Sequence, residues 1–302
     1  MTLREKIESN RFILCGEIGP PQSCDGDFIR EKSRHFKGFV DAVNITDNQT
    51  AIAKLSSIAS AKILLDEGVE PIMQMTCRDR NRLAIQSDLM GAAALGLRNV
   101  LCLTGDYQTF GDHPEAKGVF DLDSIQLIAA VAKMNSGFLL SGREMKKPSE
   151  FLIGAAANPF AEPFEMRLIR LYKKVNAGAR FIQTQPVFDL ETFSRWMEKV
   201  VEMGLAEKAA ILAGVMPPKS AKTLLIMKAE VPGVKINEEY IQRMKNARDP
   251  KEEGVKMAVE IIRTLKQMKG VRGIHLMPVL WESITPVIVK EAGLNSLNEN
   301  TT

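Results

Sequence analysis

The sequence predicts an α/β protein folded as a single (β/α)8 TIM barrel over residues 1–302. Eight short apolar runs recur, most of them about 30 residues apart, the length of a βα unit. They are too apolar for half-solvated strands of an open antiparallel sheet, and each is followed by a helical stretch. The runs are 13–19, 42–47, 70–76, 99–105, 151–157, 181–186, 211–217 and 273–279.

The stretches between these runs carry helix signals. Asp189 is a suitable N-cap for a helix whose apolar residues fall on one face, namely Phe193, Trp196, Met197, Val200 and Val201. Asp121 or Asp123 offers a cap ahead of "SIQLIAAVAKM", and Gly96 is a reasonable C-terminal stop for the helix before it. Eight such alternations with no linker in the middle favour one closed barrel over an open sheet.

A doubly wound nucleotide-binding fold is the rival architecture. It is disfavoured because neither GxGxxG nor GxxxxGK[ST] follows any predicted strand. The polar end of the chain, at about 294–302, is predicted to be a frayed tail.

Charge and composition narrow the function. The 40 basic and 37 acidic residues give a net charge of +3, with no dense Lys/Arg block. Neither a nucleic-acid groove nor a membrane-surface helix is indicated, and no membrane segment is expected. Small-molecule chemistry is therefore the default prediction.

The four cysteines and three histidines indicate no metal centre. Cys15, Cys24, Cys77 and Cys102 form no CxxC pair, and the N-terminus does not resemble a secretion signal, which favours a reducing, cytoplasmic setting. The histidines are scattered along the chain. Any redox chemistry must come from an organic cofactor or a partner.

Polar residues cluster at the ends of the predicted strands, where (β/α)8 enzymes place their active sites. Most have a structural explanation as well, because Asp or Thr after a strand often caps a helix and a Gln can be a satisfied interior group. Glu17 differs, since it precedes Gly-Pro-Pro with no helix to cap and its burial is costly without a task or partner. The set comprises Glu17, Thr46, Asp47, Gln74, Thr76, Thr104, Asp106, Asn158, Gln183 and Gln185.

Two further residues carry charge toward the expected site. Asp106 follows a glycine that lets the backbone approach a ligand closely, and its carboxylate suits a ring N–H or hydroxyl donor better than a phosphate. Lys174 is a candidate phosphate partner. Lysines late in a helix also complement the helix dipole, so both interpretations stay open for Lys174.

Six motifs, in this order, resemble the methylenetetrahydrofolate reductase family over about residues 10 to 290: "GEIGPP", "VNITDN", "QMTCRD", "CLTGD", "KKVNAGARFIQTQPVFD" and "GVMPP". The resemblance implies a barrel that binds FAD at the strand C-termini. It further implies reduction of 5,10-methylenetetrahydrofolate to 5-methyltetrahydrofolate, with hydride supplied by the flavin.

The resemblance also implies roles for individual residues. Glu17 matches the general acid that helps open the imidazolidine ring of the folate, a task that suits a carboxylic acid in a largely apolar wall. Asp106 matches the acid beside flavin and pterin. Gln185 matches the folate-binding glutamine, with Gln183 and Trp281 also expected on the substrate side. The expected FAD-binding residues are Thr46, Gln74, Thr104, Gly105, Asp106, Phe120, Asp121, Asn158 and Lys174.

Three positions depart from the family pattern. Thr104 and Trp281 stand where many members have Arg, and Gln74 stands where many have His. Because these positions surround the flavin and the shared nicotinamide/folate face, they leave the electron donor open between NAD(P)H and an iron–sulfur partner subunit. The oligomeric state, homo- or hetero-, also stays open.

Two other functions remain as alternatives. A pterin-binding methyltransferase barrel needs similar polar strand ends but has no reason to bind FAD. A non-catalytic, partner-dependent subunit would keep the fold and require another chain for turnover. The sequence does not distinguish tetrahydrofolate from a related pterin.

Overall fold

A computed structural model describes residues 1–231 and 233–294, and it confirms the single (β/α)8 barrel. Eight parallel strands follow one another in sequence order, and β8 pairs with β1 to close the sheet. Each strand coincides with one of the eight predicted runs. Residues 295–302 of the predicted tail lie outside the described residues. The strands are β1 Ile13–Ile18, β2 Ala42–Ile45, β3 Pro71–Thr76, β4 Asn99–Leu103, β5 Leu152–Ala157, β6 Phe181–Pro186, β7 Ala210–Val215 and β8 Val271–Leu276.

The described helices surround the barrel, and their ends follow the predicted signals. The Asp189 side chain accepts a hydrogen bond from the Thr192 amide at 2.9 Å, and Asp123 rather than Asp121 forms a capping box with Gln126. The helices are α1 Leu3–Glu8, α2 Asp27–Ser33, α3 Ser57–Asp66, α4 Arg82–Ala94, α5 Ser124–Asn135, α6 Phe164–Ala177, α7 Leu190–Glu202, α8 Ala221–Glu230, α9 Glu238–Asn246, α10 Pro250–Gln267 and α11 Thr285–Glu291.

The two long intervals in the strand spacing have structural causes. Between β4 and β5 the chain forms a long loop before α5, with a 3-10 turn at Gln108–Phe110, and a further excursion bridged by Phe138 and Glu144. Before β8 it inserts α8 and α9 ahead of α10. The first of these loops leaves the C-terminal end of its strand and so borders the site.

Apolar side chains fill the lower part of the barrel. Leu3 of α1 is fully buried against inward-facing side chains such as Ile13, Cys15 and Ile72, so α1 closes the end of the barrel at the strand N-termini. Gly154 leaves room for the Phe181 ring, which would collide with any Cβ at that position. We call this closed end the floor, and the opposite end, at the strand C-termini, the mouth.

Lys6 and Glu70 at the floor have partners, whereas Arg272, near the start of β8, donates to the Ile7 carbonyl but its buried Nε forms no hydrogen bond with the described residues. Lys6 forms a buried ion pair with Asp41, whose other carboxylate oxygen accepts the Leu14 amide at 2.7 Å. Glu70 accepts the Leu3 amide at 2.9 Å and the Asn99 side chain at 2.8 Å. These bonds attach α1 to the strand N-termini and compensate the burial of their charges.

Candidate active site

The mouth is lined by side chains that share the inward direction of the floor residues. Successive side chains of a strand point to opposite faces, so residues two positions beyond an inward residue also point inward. Glu17 follows Cys15 in this way, Gln74 follows Ile72, and Gln183 follows Phe181. These side chains, with Gln185 of β6 and His275 of β8, line one cleft of about 320 Å³.

Glu17 lies in polar surroundings. Its Oε2 is 3.3 Å from Nε2 of His275 and 3.5 Å from Nε2 of Gln74. The side chains of Glu17 and His275 are only 9% and 5% exposed. The prediction of a largely apolar wall around Glu17 is therefore wrong at the carboxyl group, which faces an imidazole and an amide.

Several buried polar atoms at the mouth have no partner within the described part of the chain. Both amide atoms of Gln183, both ring nitrogens of His275 and the Thr46 hydroxyl lack a hydrogen bond. Leaving such groups unpaired costs roughly 1–3 kcal/mol each. Gln183 and His275 line the cleft, where a ligand or water can complete their bonding, whereas Thr46 lies beside it, near Gly19.

The β4 loop forms one rim of the cleft. Thr104 accepts the Ser124 amide at 3.2 Å, which ties this loop to the first turn of α5. Gly105 has φ +94°, and a Cβ there would lie 2.9 Å from Cβ of Arg78, so both conformation and space require glycine. Asp106 is exposed on the rim, and its Oδ2 accepts the Thr50 amide at 3.2 Å.

Two charged groups brace the loops beneath this rim. Asp47 accepts the Thr76 amide at 2.9 Å and pairs with Arg80 at 2.7 Å, so it joins β2 to β3. Arg78 is fully buried and donates to the Asp106 carbonyl at 3.3 Å, to the Asn48 carbonyl at 3.1 Å and to Asp79. Arg78 therefore links the loops after β2, β3 and β4.

A basic recess of about 160 Å³ adjoins the cleft, and Lys174 and Arg170 line both. Arg167 and Asn158 complete its polar wall, and no acidic side chain among the described residues lines it. Lys174 donates to the Ala156 carbonyl at 2.6 Å. Burial, reinforced by the charge of Arg170, lowers the pKa of Lys174 to about 8. Three cations with no acidic side chain among the described residues of the lining make this recess suited to an anionic group.

Besides Thr46, three residues expected at the site line neither the cleft nor the recess. Phe120 packs its ring 5.7 Å from that of Tyr107 on the long β4 loop. Asp121 pairs with Arg82 at 2.8 Å, and these hydrogen bonds lower the pKa of Asp121 to about 2. Trp281 packs against the core between barrel and helices.

The thiols near the site are buried and unreactive in character. Cys77 and Cys102 lie on neighbouring chain segments under the mouth, and burial raises the pKa of Cys77 to about 12 and that of Cys102 further. The described residues bring together no group of His, Cys, Asp and Glu side chains that could hold a metal ion. No helix in the described ranges is long and apolar enough to cross a membrane.

Four residues of the site were not predicted from the sequence: His275, Arg78, Arg167 and Arg170. The spacing of β8 contained the signal for His275, because an inward position near a strand C-terminus leads into the mouth. Arg170 precedes Lys174 by one helical turn, which places both on the same face of α6. Arg78 lies in a loop, where no periodicity indicates side-chain direction.

Fold and cleft together define a (β/α)8 barrel protein with a polar cleft at its mouth. The family profile described as methylenetetrahydrofolate reductase matches residues 2–293, and the chain belongs to that family.

Curated relatives agree with this assignment. Methylenetetrahydrofolate reductase 1 of Schizosaccharomyces pombe is 28% identical over 79% of this chain and 38% of its own length. The probable methylenetetrahydrofolate reductase (NADPH) of Caenorhabditis elegans is 27% identical over 95% of this chain and 43% of its own length. The chain thus spans less than half of either relative.

Solved structures share the fold. A protein from Clostridium thermocellum that binds two copies of 5-methyl-5,6,7,8-tetrahydrofolic acid superposes with a TM-score of 0.67 at 17% identity, covering 97% of this chain and 99% of its own. A 2,3-dimethylmalate lyase superposes with a TM-score of 0.52 at 12% identity, covering 99% of this chain and 90% of its own. The same barrel therefore serves different ligands, and the site must identify the reaction.

Proposed function

We propose that the chain is an FAD-dependent methylenetetrahydrofolate reductase, which converts 5,10-methylenetetrahydrofolate to 5-methyltetrahydrofolate. The observation that carries the proposal is a buried carboxyl group, Glu17, held at the mouth between a histidine and an amide in a chain of this family. Relatives named as methylenetetrahydrofolate reductases support the reaction, and the C. thermocellum protein shows that this barrel fold can bind a reduced folate.

The residues present fit FAD. The recess supplies Lys174, Arg170 and Arg167 for the pyrophosphate, and its position beside the cleft suits a flavin that reaches toward Glu17. Gly105 and Thr104 line the cleft and Asn158 lines the recess, so they are proposed contacts of the bound cofactor. FAD, when bound, supplies the hydride for the substrate's methylene carbon.

Glu17 supplies the proton in the proposed reaction. Opening the imidazolidine ring requires protonation of a weakly basic amine, and a buried carboxylic acid beside it can provide that proton. Gln74 donates a long hydrogen bond of 3.5 Å to Glu17 and so helps to hold the carboxyl group in place. Exclusion of water by the barrel wall protects the reactive iminium from hydrolysis.

Asp106, Gln183 and Gln185 are proposed to orient the pterin. The carboxylate of Asp106 on the rim can accept ring N–H groups, and its charge stabilises the cationic iminium. The unpaired amide of Gln183 offers one donor and one acceptor to the ring edges, and Gln185 lies two residues further along β6. Thr46 is proposed to lie beside the bound flavin, next to the cleft. Phe120 and Asp121 are proposed to contact only a distant part of FAD.

For the electron source we propose a partner protein, such as an iron–sulfur subunit, rather than direct NAD(P)H binding. Thr104 replaces an arginine of the family pattern, and its hydroxyl is occupied by the Ser124 amide. Gln74 faces Glu17, and Trp281 packs on the core outside the cleft. The cations that many members carry at two of these positions are therefore absent here.

The test is to purify the chain, load it with FAD and record its visible spectrum. We expect stoichiometric FAD binding with a protein-perturbed flavin band. In anaerobic stopped-flow mixing, a low-potential dye should reduce the flavin rapidly while NADH and NADPH do so slowly.

Failure to bind FAD would contradict the reductase and favour the pterin methyltransferase. Reduction of the flavin by NADH or NADPH at about 10 s⁻¹, a typical turnover rate, would contradict the proposed electron-donating partner protein. It would leave the proposed folate reduction intact.

A further inference from the structure

His275 is a buried histidine, and its surroundings give it no clear structural role. It is 4% exposed, and neither ring nitrogen makes a hydrogen bond of good geometry with the described residues. Its nearest charged neighbour is Glu17, with Nε2 and Oε2 3.3 Å apart. A core histidine retained for packing alone would normally satisfy at least one nitrogen.

The reaction proposed above, on which this inference rests, leaves Glu17 short of a proton. Each turnover moves one proton from the Glu17 carboxyl group to the folate amine, so the carboxylate must be reprotonated before the next substrate reacts. The Glu17 side chain is 9% exposed, and Nε2 of His275 lies 3.3 Å from its Oε2. His275 is therefore placed to return a proton to this carboxylate.

The other charged side chains of the cleft are badly placed for this task. Asp47 is paired with Arg80, and Arg78 is engaged with Asp79 and backbone carbonyls. Asp106 lies on the exposed rim. The charged and titratable groups that face the cleft with His275 are Glu17 from β1, Asp47 after β2, Arg78 after β3, Asp106 after β4, and Arg170 and Lys174 from α6.

We propose that His275 reprotonates Glu17 after each turnover and positions its carboxyl group between turnovers. The imidazolium passes its Nε2 proton to Oε2 of Glu17 and becomes a neutral ring protonated on Nδ1. When product leaves and water enters the cleft, Nε2 takes a proton from solvent. The cycle consumes one solvent proton for the one that the folate amine receives, so protons balance.

The first test needs neither cofactor nor substrate. The chain has three histidines, so ¹⁵N-labelled imidazoles can be assigned with His35→Gln and His113→Gln variants. Replacing the carboxylate that faces an imidazole changes the environment of its ring nitrogens. Glu17→Gln should therefore shift the ring ¹⁵N resonances of His275 at a fixed pH and leave those of His35 and His113 unchanged. Unshifted His275 resonances would overturn the coupling.

The second test measures turnover. We expect His275→Gln, in the FAD-loaded chain with an artificial donor, to lower the rate of folate reduction by about tenfold or more, within the range of general acid–base effects. The solvent deuterium isotope effect should rise, and imidazole should restore part of the rate to His275→Gly. His113→Gln, the same change at an exposed histidine, serves as the matched control.

An unchanged rate and isotope effect in a folded His275→Gln protein would overturn the proposal. His275→Asn provides a second variant if the glutamine side chain disturbs folding. A wild-type chain without folate turnover would instead contradict the proposed function, and the NMR comparison at fixed pH would still decide whether Glu17 and His275 are coupled.

Discussion

The floor and the mouth of this barrel differ in how the buried polar groups inside the barrel are bonded. At the floor, the Lys6–Asp41 pair and Glu70 obtain partners from the backbone and from neighbouring side chains. At the mouth, Asp47 and Arg78 are bonded beneath the rim, but the buried side chains of Gln183 and His275 form no hydrogen bond with the described residues. The two ends are built from the same strands, so we attribute the difference in hydrogen bonding to what each end binds. The floor packs against α1 of the same chain, whereas the mouth has free hydrogen-bonding groups that a ligand can use.

Glu17→Gln should produce the largest effect on function and no comparable effect on folding. The amide keeps the size of the side chain but cannot donate the proton, so we expect folate reduction to fall by about 10²–10⁴, the usual worth of a general acid. FAD content should stay constant. Near-normal turnover in the folded variant would show that Glu17 does not supply the proton. The proposal that the mouth is the catalytic end of the barrel would then lose its main support.

Asp41→Asn should show the reverse pattern. Removing one partner of a buried ion pair leaves Lys6 uncompensated, which typically costs about 3–5 kcal/mol in the free energy of unfolding. Denaturant unfolding measures this loss, and the rate of folate reduction per folded molecule should not change. A double replacement, Lys6→Met with Asp41→Asn, should recover part of the stability because it leaves no unpaired charge and keeps an oxygen at position 41 for the Leu14 amide.

Lys174 gives the mouth a pH dependence of known sign. Its pKa of about 8 lies below the ordinary 10.5, so the unfolded chain binds this proton more tightly and stability rises between about pH 8 and 10.5. FAD affinity should do the opposite: it should fall above pH 8, approaching tenfold per pH unit, as the ammonium loses its charge. Equilibrium titrations of FAD over this range check the slope, and Lys174→Met should abolish it.

Gln183→Leu should give the smallest of these effects. It tests whether the buried amide at the mouth lacks a hydrogen-bond partner. Replacing an unpaired buried amide with an apolar side chain removes its desolvation cost, so the free energy of unfolding should rise by about 1 kcal/mol. Folate affinity should fall at the same time, because the ligand loses a hydrogen-bonding partner. Loss of stability in this variant would mean that the protein already satisfies the amide.

Strands were predictable from sequence because burial on both faces makes each run almost continuously apolar. Glu17 was predictable as well, because an acid interrupts such a run just before Pro-Pro. The loops were not. Trp281 follows Leu280, whose φ of +55° is rare for a bulky residue, and this turn directs the indole to the core. His275 escaped notice because its importance depends on Glu17, which lies across a strand pairing that only barrel closure creates.

In the proposed reaction, a folate is reduced at the mouth with hydride from a bound flavin and a proton from Glu17. The direct measurement is a single-turnover experiment: the FAD-loaded chain, reduced by a dye under anaerobic conditions, is mixed with 5,10-methylenetetrahydrofolate while the visible flavin band is followed. We predict that the oxidised band returns with formation of one equivalent of 5-methyltetrahydrofolate, and that Glu17→Gln slows this return. A flavin that stays reduced in the presence of the folate would contradict the account.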